Sequence, residues 1–491
     1  MQRNSKGYKG SVYIGWKETD ITPEKPAALA GQFFERVSEY VHDPITATAL
    51  AIETRDENGA SLDQVIMVSC DLICIEKQVQ DLTRAKVSES IPDFDPGKLF
   101  MNATHIHTGP FTSEGPMRGL GGKGLAYRTK SSEVVKPSEY VEFLTDRLSD
   151  AAVKAWQSRQ AGGVSRELGF AVIGHNRMVL YDDGSGKLYG NTDTVNYDTL
   201  MAPSDHGIEL LFFWNQAKEL SGVAINVACP SQVLEMKRYI TADFWYEVRK
   251  GLRQRYGDNI FILPMTGAAG DQSPRDMVRG GRGEPDMNEE AGAKEIAKRI
   301  INALEDVFES ARERIEEKAV LRHRTANISL PVRKVGRAEA MKAEEEYRLL
   351  LEKYGIDPEQ SYFGDNLSDD AKFRLSYLYG LVDRYQDQQV NPFYNMELHV
   401  LRIGDAVIAT NPFEMYIDYG LRIKALSKAQ QTFIVQLACD IGGYLPTARA
   451  ISAGGYSTCV FNGIVGPEGG RQLVEHTVMI INELMDGDGN E

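Results

Sequence analysis

The chain has 491 residues, with 70 acidic against 55 basic side chains and a formal net charge of −15. That excess of negative charge argues against nucleic acid or an anionic membrane surface as the main partner, because both are held by basic faces. No stretch approaches the roughly 20 apolar residues that span a bilayer, and no apolar segment follows the basic residues of Met1-Gln-Arg-Asn-Ser-Lys-Gly7, so the expectation is a soluble, cytoplasmic protein without stable membrane insertion, acting on a small-molecule substrate. The five cysteines (Cys70, Cys74, Cys229, Cys439, Cys459) are an odd set at irregular spacing, which does not read as a disulfide framework. Small apolar core residues are the plainer reading.

Apolar runs of strand length alternate with long amphipathic segments, which places the chain in the α/β class. In chain order, Leu99-Phe-Met101 leads into Asn102-Ala-Thr-His105-Ile-His107-Thr-Gly-Pro110. Gly222–Cys229 leads into Pro230-Ser-Gln232, and Ile260–Thr266 into Gly267-Ala-Ala-Gly-Asp271-Gln-Ser273-Pro274. Ala406–Thr410 leads into Asn411-Pro-Phe-Glu414, and Phe433–Ala438 into Cys439-Asp440 and Gly442-Gly-Tyr444. Each reads as a buried strand emptying into a short polar loop, the way α/β proteins gather side chains at one sheet edge. Helices are expected at Ser138–Arg159, Thr241–Tyr256, Asn288–Arg314, Arg337–Tyr354 and Phe413–Lys428. The Lys-, Glu- and Tyr-rich stretch Arg337–Asn391 reads as a helical insertion, either a lid or a contact of a homo-oligomer. Gly121–Lys136 and Val278–Glu284 read as flexible loops, and Asp486–Glu491 as an acidic, frayed tail.

Several residues at these exits carry chemistry, each beside a plainer reading. In an extended segment, residues i and i+2 share a face, so His105 and His107 can both reach one site. Glu414 follows Asn411-Pro412, which also reads as a helix cap with glutamate at its third position. Ser273 precedes Pro274 and a helix, and so also reads as a cap. The neighbouring glycine of Gly270-Asp271-Gln-Ser273 allows close ligand approach, though without the lysine of a P-loop. Arg177 is either an anion or carbonyl contact or a surface arginine. Tyr444 and Tyr456 each follow a Gly-Gly pair, which bares a phenol to a cleft or leaves it merely packed.

Taken in order, these pieces resemble the catalytic domain of the neutral (non-lysosomal) ceramidase family. The resemblance runs through Gly15-Trp-Lys-Glu-Thr-Asp20-Ile-Thr-Pro23, Gly31-Gln-Phe-Phe-Glu-Arg36, His42-Asp-Pro44, Ala103-Thr-His105-Ile-His107-Thr-Gly-Pro110 and Gly270-Asp-Gln-Ser273-Pro274. It covers about Tyr13 to His476. It implies a multilayer α/β sandwich of mixed sheets flanked by helices, read here as one catalytic domain over residues 1–491 with the helical insertion at 337–391; as a departure from the family, no C-terminal β-sandwich domain is expected in this sequence. It further implies a zinc hydrolase of amide bonds with one Zn2+, in which His105, Glu414 and Tyr444 are metal ligands and His107 is a substrate-side base. Arg177 and Tyr456 would hold the scissile carbonyl, Ser273 is nucleophile or substrate contact, and Asp271 would orient a histidine. The family's second zinc histidine falls where this chain has Cys229-Pro230-Ser231; Cys229 is either a thiolate ligand or a buried thiol. Two other readings stay open. One is a glycoside or ester hydrolase on the same scaffold, for which Asp271 and Glu414 are the carboxylate pair to test. The other is a metal-free ligand-binding relative.

Overall fold

The computed structural model describes residues 8–115, 127–280, 285–359 and 367–487. Two mixed sheets lie face to face and helices cover both outer faces. The larger sheet runs, edge to edge, Phe261–Thr266, Leu220–Val227, Gly207–Asn215, Gln160–Phe170, Gly10–Asp20, Thr46–Arg55, Ser61–Cys70 and Leu99–Ala103, with the two-residue strand Lys318–Ala319 also pairing Gly10–Asp20. Its two end pairs are parallel and the interior is antiparallel. The smaller sheet is ordered Leu321–Pro331, Phe393–Ile403, Ala406–Thr410, Gln431–Val435, with the last pair parallel.

The two-residue side-chain period of each strand decides which layer a residue joins. Ala47, Ala49 and Ala51 pack toward the helices Lys77–Ser90 and Pro137–Gln157, while Leu50 and Ile52 face the other sheet. In Gly207–Asn215, Leu210, Phe212 and Trp214 pack toward the helices Phe244–Tyr256 and Glu290–Glu313, and Leu211 and Phe213 face inward. Each of the buried Leu, Ile and Phe side chains among these contributes about 1.5–3 kcal/mol. The helices Ile417–Leu426 and Pro467–Asp486 close the outer face of the smaller sheet. This is the expected α/β sandwich of mixed sheets between helices. No described helix is long and apolar enough to cross a membrane.

Two expected helices start late for local reasons. Thr241 and Ala242 are held by the Asp43 carboxylate through the Thr241 hydroxyl (2.7 Å) and the Ala242 N–H (2.8 Å), so the helix begins at Phe244, capped by Asp243. Phe413–Met415 is not helical. It is a short strand parallel to Gly443–Leu445, and the helix begins only at Ile417. The 337–391 stretch contains helices Arg337–Tyr354 and Asp369–Val390, packed together through Ala340, Ala343, Leu378 and Leu381. They join neighbouring antiparallel strands of the smaller sheet and rest on the 456–464 loop: Arg384 donates to the Ile464 carbonyl at 2.5 Å, and a Cβ at Gly380 would stand 2.3 Å from that of Phe461. Residues 121–126, 281–284 and 488–491 of the expected loops and tail lie outside the described residues.

The five strand exits are laced to one another. The Thr104 carbonyl accepts from the hydroxyls of Ser231 (2.7 Å) and Thr266 (3.3 Å), and Ala103 N–H donates to Leu437 O. Gln436 donates its N–H to Thr266 O, and its side-chain oxygen accepts from the N–H of Ala269 (3.0 Å) and Met415 (3.1 Å). Beneath the 104–107 turn, Asp71 takes a bidentate bond from Arg249 (2.7 and 3.0 Å) and accepts from Thr46 N–H and the Thr104 hydroxyl. Both charges are buried, so removing one strands the other. Asp71→Ala is expected to cost about 3–5 kcal/mol in urea unfolding, whereas an apolar double replacement of Asp71 and Arg249 recovers most of that loss.

Candidate active site

His105 sits at the exit of Leu99–Ala103, but not on the strand. Its φ is +65°, a left-handed turn position, and its N–H is held by Leu72 O at 2.9 Å. The shared-face expectation for His105 and His107 therefore does not apply. The turn itself brings their rings to 5.0 Å, edge to face. His105 Nδ1 donates to the Ile73 carbonyl at 2.8 Å, which can only accept, so Nε2 is the nitrogen left to carry a lone pair when the ring holds a single proton. That lone pair looks at Glu414 Oε2 across 3.4 Å, and both side chains are buried.

Glu414 is placed by the Phe413–Met415 strand, in register with Tyr444 of the parallel strand. The helix-cap reading of Glu414 falls with the helix: Asn411 Oδ1 accepts from Phe413 N–H, and Glu414 lies three residues before the first helical residue. Gly270 packs against this strand so closely that a Cβ would stand 2.2 Å from Glu414 O. Arg177 is buried, and its guanidinium donates to the Tyr444 hydroxyl (3.2 Å), Gly270 O (3.0 Å), the Tyr189 hydroxyl (3.0 Å) and Gln232 Oε1 (3.4 Å). The surface reading of Arg177 is thereby excluded. Tyr456 lies edge-on to Tyr444 (6.0 Å) and Phe33 (5.5 Å). Burial, followed by the Glu414 charge, pushes both phenols above their ordinary value, so both remain protonated donors.

His107 is held at both ring nitrogens. Arg177 fixes the Gln232 amide with its oxygen toward the guanidinium, so Gln232 Nε2 donates to His107 Nε2 at 2.9 Å. Nδ1 faces Gln32 (3.4 Å) and Glu235 (3.7 Å). Burial, then the neighbouring His105, Arg36 and Arg177, hold His107 well below the ordinary histidine value, hence neutral.

Three expected site residues stand apart. The Cys229 thiol is turned into the apolar cluster of Ile173, Ile225 and Val233, and donates to Ile173 O at 3.3 Å. It belongs to no trio of His, Cys, Asp or Glu ligand atoms among the described residues, and burial pushes its pKa well up; the structure gives the buried-thiol reading, not the ligand. Asp271 bonds no imidazole. Its carboxylate accepts from Ile417 N–H (2.9 Å), Asn176 Nδ2 (2.7 Å) and Gln272 Nε2 (3.3 Å), so it bolts loops together rather than orienting a histidine or pairing across a cleft with Glu414. Ser273 is not a helix cap: it pairs with His175 in a two-residue bridge, and its Oγ accepts from Arg275 N–H at 3.2 Å, with no base at hydrogen-bond distance among the described residues.

A different grouping, Glu397, His399 and Cys439, brings its ligand atoms within 4.8 Å of one another. Arg84 already donates to both Glu397 oxygens, and His399 spends its nitrogens on Glu397 (2.5 Å) and His323 (2.9 Å). Against burial, the bonds from His399 and Arg84 hold the Glu397 carboxyl far below its ordinary range. A resident guanidinium takes the place a cation would need.

Sequence reasoning missed Gln32, Tyr189, Gln232 and Glu235. The last two lie three and six residues beyond Cys229, on a loop read only for its cysteine. Gly31 (φ +103°) packs on His107 so tightly that a Cβ would fall 2.6 Å from the ring. Gly31→Ala is expected to cost about 1–3 kcal/mol and to shift the His107 ring resonances in NMR, while those of His323 stay in place.

No protein-family model and no curated protein matches the chain. Among solved structures, it is similar to the neutral ceramidase of Pseudomonas aeruginosa, with a TM-score of 0.69 and 16% identity over 98% of this chain and 76% of that one. A structure described as ceramidase complexed with C2 matches with the same score and identity over 97% and 76%. The chain has the fold of the neutral ceramidases.

Proposed function

We propose that the protein is a metal-dependent hydrolase that cleaves an amide bond, either of an N-acyl, ceramide-like compound or of a smaller soluble substrate. The observation that carries this reading is the pair His105 Nε2 and Glu414 Oε2, two buried acceptors facing each other across 3.4 Å. Two acceptors at that distance repel unless a proton or a cation lies between them. Two ligand atoms bound tetrahedrally to one zinc ion stand roughly 3.3–3.5 Å apart, so the donor set fits Zn2+. His105, Glu414 and Tyr444 would hold it, three protein ligands being the usual count at a catalytic zinc. Once bound, the ion supplies Lewis-acid polarisation and a lowered pKa for water at neutral pH.

The chain's own residues do the rest. Ile73 O fixes the ring orientation and tautomer of His105, as partners behind ligating imidazoles generally do. Arg177 restrains Tyr444 and places positive charge beside the position where a carbonyl oxygen would gain negative charge. Tyr456, protonated and half-buried next to Tyr444, supplies a second donor to that oxygen. The two solved structures that share the fold are ceramidases by name, which favours an acyl amide over a glycoside. The hydrogen bonds that Asp271 accepts from Ile417, Asn176 and Gln272 weigh against its use as a glycosidase carboxylate opposite Glu414.

His105→Ala is expected to abolish zinc uptake, measured by metal analysis, together with hydrolysis of short-chain N-acyl amides. A metal-free His105→Ala protein of full activity would overturn the reading. Cys229→Ser is expected to leave zinc stoichiometry unchanged and to lower stability by about 1–2 kcal/mol, the cost of a hydroxyl in an apolar cluster. Loss of zinc in that variant would restore the thiol as a ligand.

A further inference from the structure

A hydrolase must move a proton from the attacking water to the leaving amine. His107, the expected carrier, has Nε2 occupied by Gln232 and Nδ1 turned to Gln32 and Glu235. We propose that Glu235 is the proton-transferring group of this site, taking the proton of the attacking water and delivering it to the leaving nitrogen. The inference rests on the hydrolase reading above.

Four observations support it. Glu235 lies on the loop that leaves the Leu220–Val227 strand, and that loop is pinned beside His105 by the Ser231 hydroxyl on Thr104 O. Its backbone is fixed from below by Arg36, which donates to Glu235 O at 2.6 Å and to His107 O at 2.6 Å. The carboxylate side chain is only 15% exposed, yet no lysine or arginine forms an ion pair with it among the described residues; its nearest polar neighbours are Gln32 Nε2 at 3.4 Å and His107 Nδ1 at 3.7 Å. A nearly buried carboxylate without a contacting cation is costly unless it has a use.

The charged groups around it come from every neighbouring segment. Arg177, Arg275 and Arg36 favour its anion, His107 lies neutral against it, and the buried Asp243 carboxyl, which accepts from Leu234 N–H at 2.7 Å, is the neighbouring acid. Burial outweighs the cations and raises its pKa above that of an ordinary glutamate, which suits a group that must both accept and release a proton.

The chemistry balances without a further reactant. The Glu235 carboxylate takes one proton as the water oxygen bonds to the acyl carbon. The Glu235 carboxyl returns that proton to nitrogen as the C–N bond breaks. The products are one carboxylic acid and one amine, and Glu235 ends as the carboxylate.

The test compares wild type with Glu235→Gln on two probes, a short-chain N-acyl alkylamine and the p-nitrophenyl ester of the same acid, with zinc content measured on both proteins. The amide needs its leaving nitrogen protonated; p-nitrophenolate leaves without a proton. The expected result is unchanged zinc, a fall in amide kcat of about 100-fold or more, a smaller fall for the ester, which loses only the base half of the role and not the acid half, and loss of the acid limb of the amide pH profile. Because the folded pKa is raised, that limb in wild type lies above the ordinary glutamate value. Equal losses on both probes, or an acid limb that survives in Glu235→Gln, overturn the assignment while leaving the hydrolase reading intact. A wild type that binds zinc and cleaves neither probe overturns both. A carboxyl NMR titration, assigned by the signal missing in Glu235→Gln, checks the role without substrate: an ordinary midpoint also overturns it.

Discussion

The site depends on one hydrogen bond, from His105 Nδ1 to the Ile73 carbonyl. A carbonyl cannot donate, so the bond keeps a proton on Nδ1 and turns Nε2 to the Glu414 carboxylate. Everything around that pair holds it in place. The left-handed turn at His105 aims the ring, Gly270 lets the Glu414 strand lie against the 267–273 loop, and the Tyr444 strand sets the phenol in register beside the carboxylate. A like-facing pair of acceptors is unfavourable on its own, and in a tightly packed interior it is relieved by a proton or a cation between the two atoms.

The scaffold that makes this possible is the lacing of strand exits from two separate sheets. Gln436 on the smaller sheet accepts from the N–H groups of Ala269 and Met415 and donates its own N–H to Thr266 on the larger sheet. Asn226 crosses the same interface, donating to Ile434 O at 2.8 Å and Met265 O at 3.3 Å. His105 follows a strand of the larger sheet and Glu414 follows a strand of the smaller, so this interface is what sets their separation. The helical pair 337–391 contributes from outside, by backing the loop that carries Tyr456 through Phe461.

On the loop beginning at Cys229 the thiol lies in an apolar cluster, and Gln232 and Glu235, three and six residues on, stand beside His107. Gln232 relays the orientation of Arg177 to His107.

The sequence by itself determined the class of fold, the strand exits and most of the residues that meet there, because hydrophobic period and the Gly, Pro and Asn breaks are local properties. The helix Arg337–Tyr354 could be read to its ends from them. What only the tertiary structure decided was the use of each polar side chain. Glu414 sits behind a capping pattern, yet a partner strand from 443–445 claims its backbone. Asp271 and Cys229 look like site residues by position, but hydrogen bonds from Asn176 and Ile417 and the carbonyl of Ile173 engage them elsewhere. Glu235 carries no local signal at all, since its meaning comes from arginines 36, 177 and 275 arriving from three other parts of the chain. Period and turn chemistry act over a few residues, whereas the direction of a side chain and the field around it are set by groups hundreds of residues away.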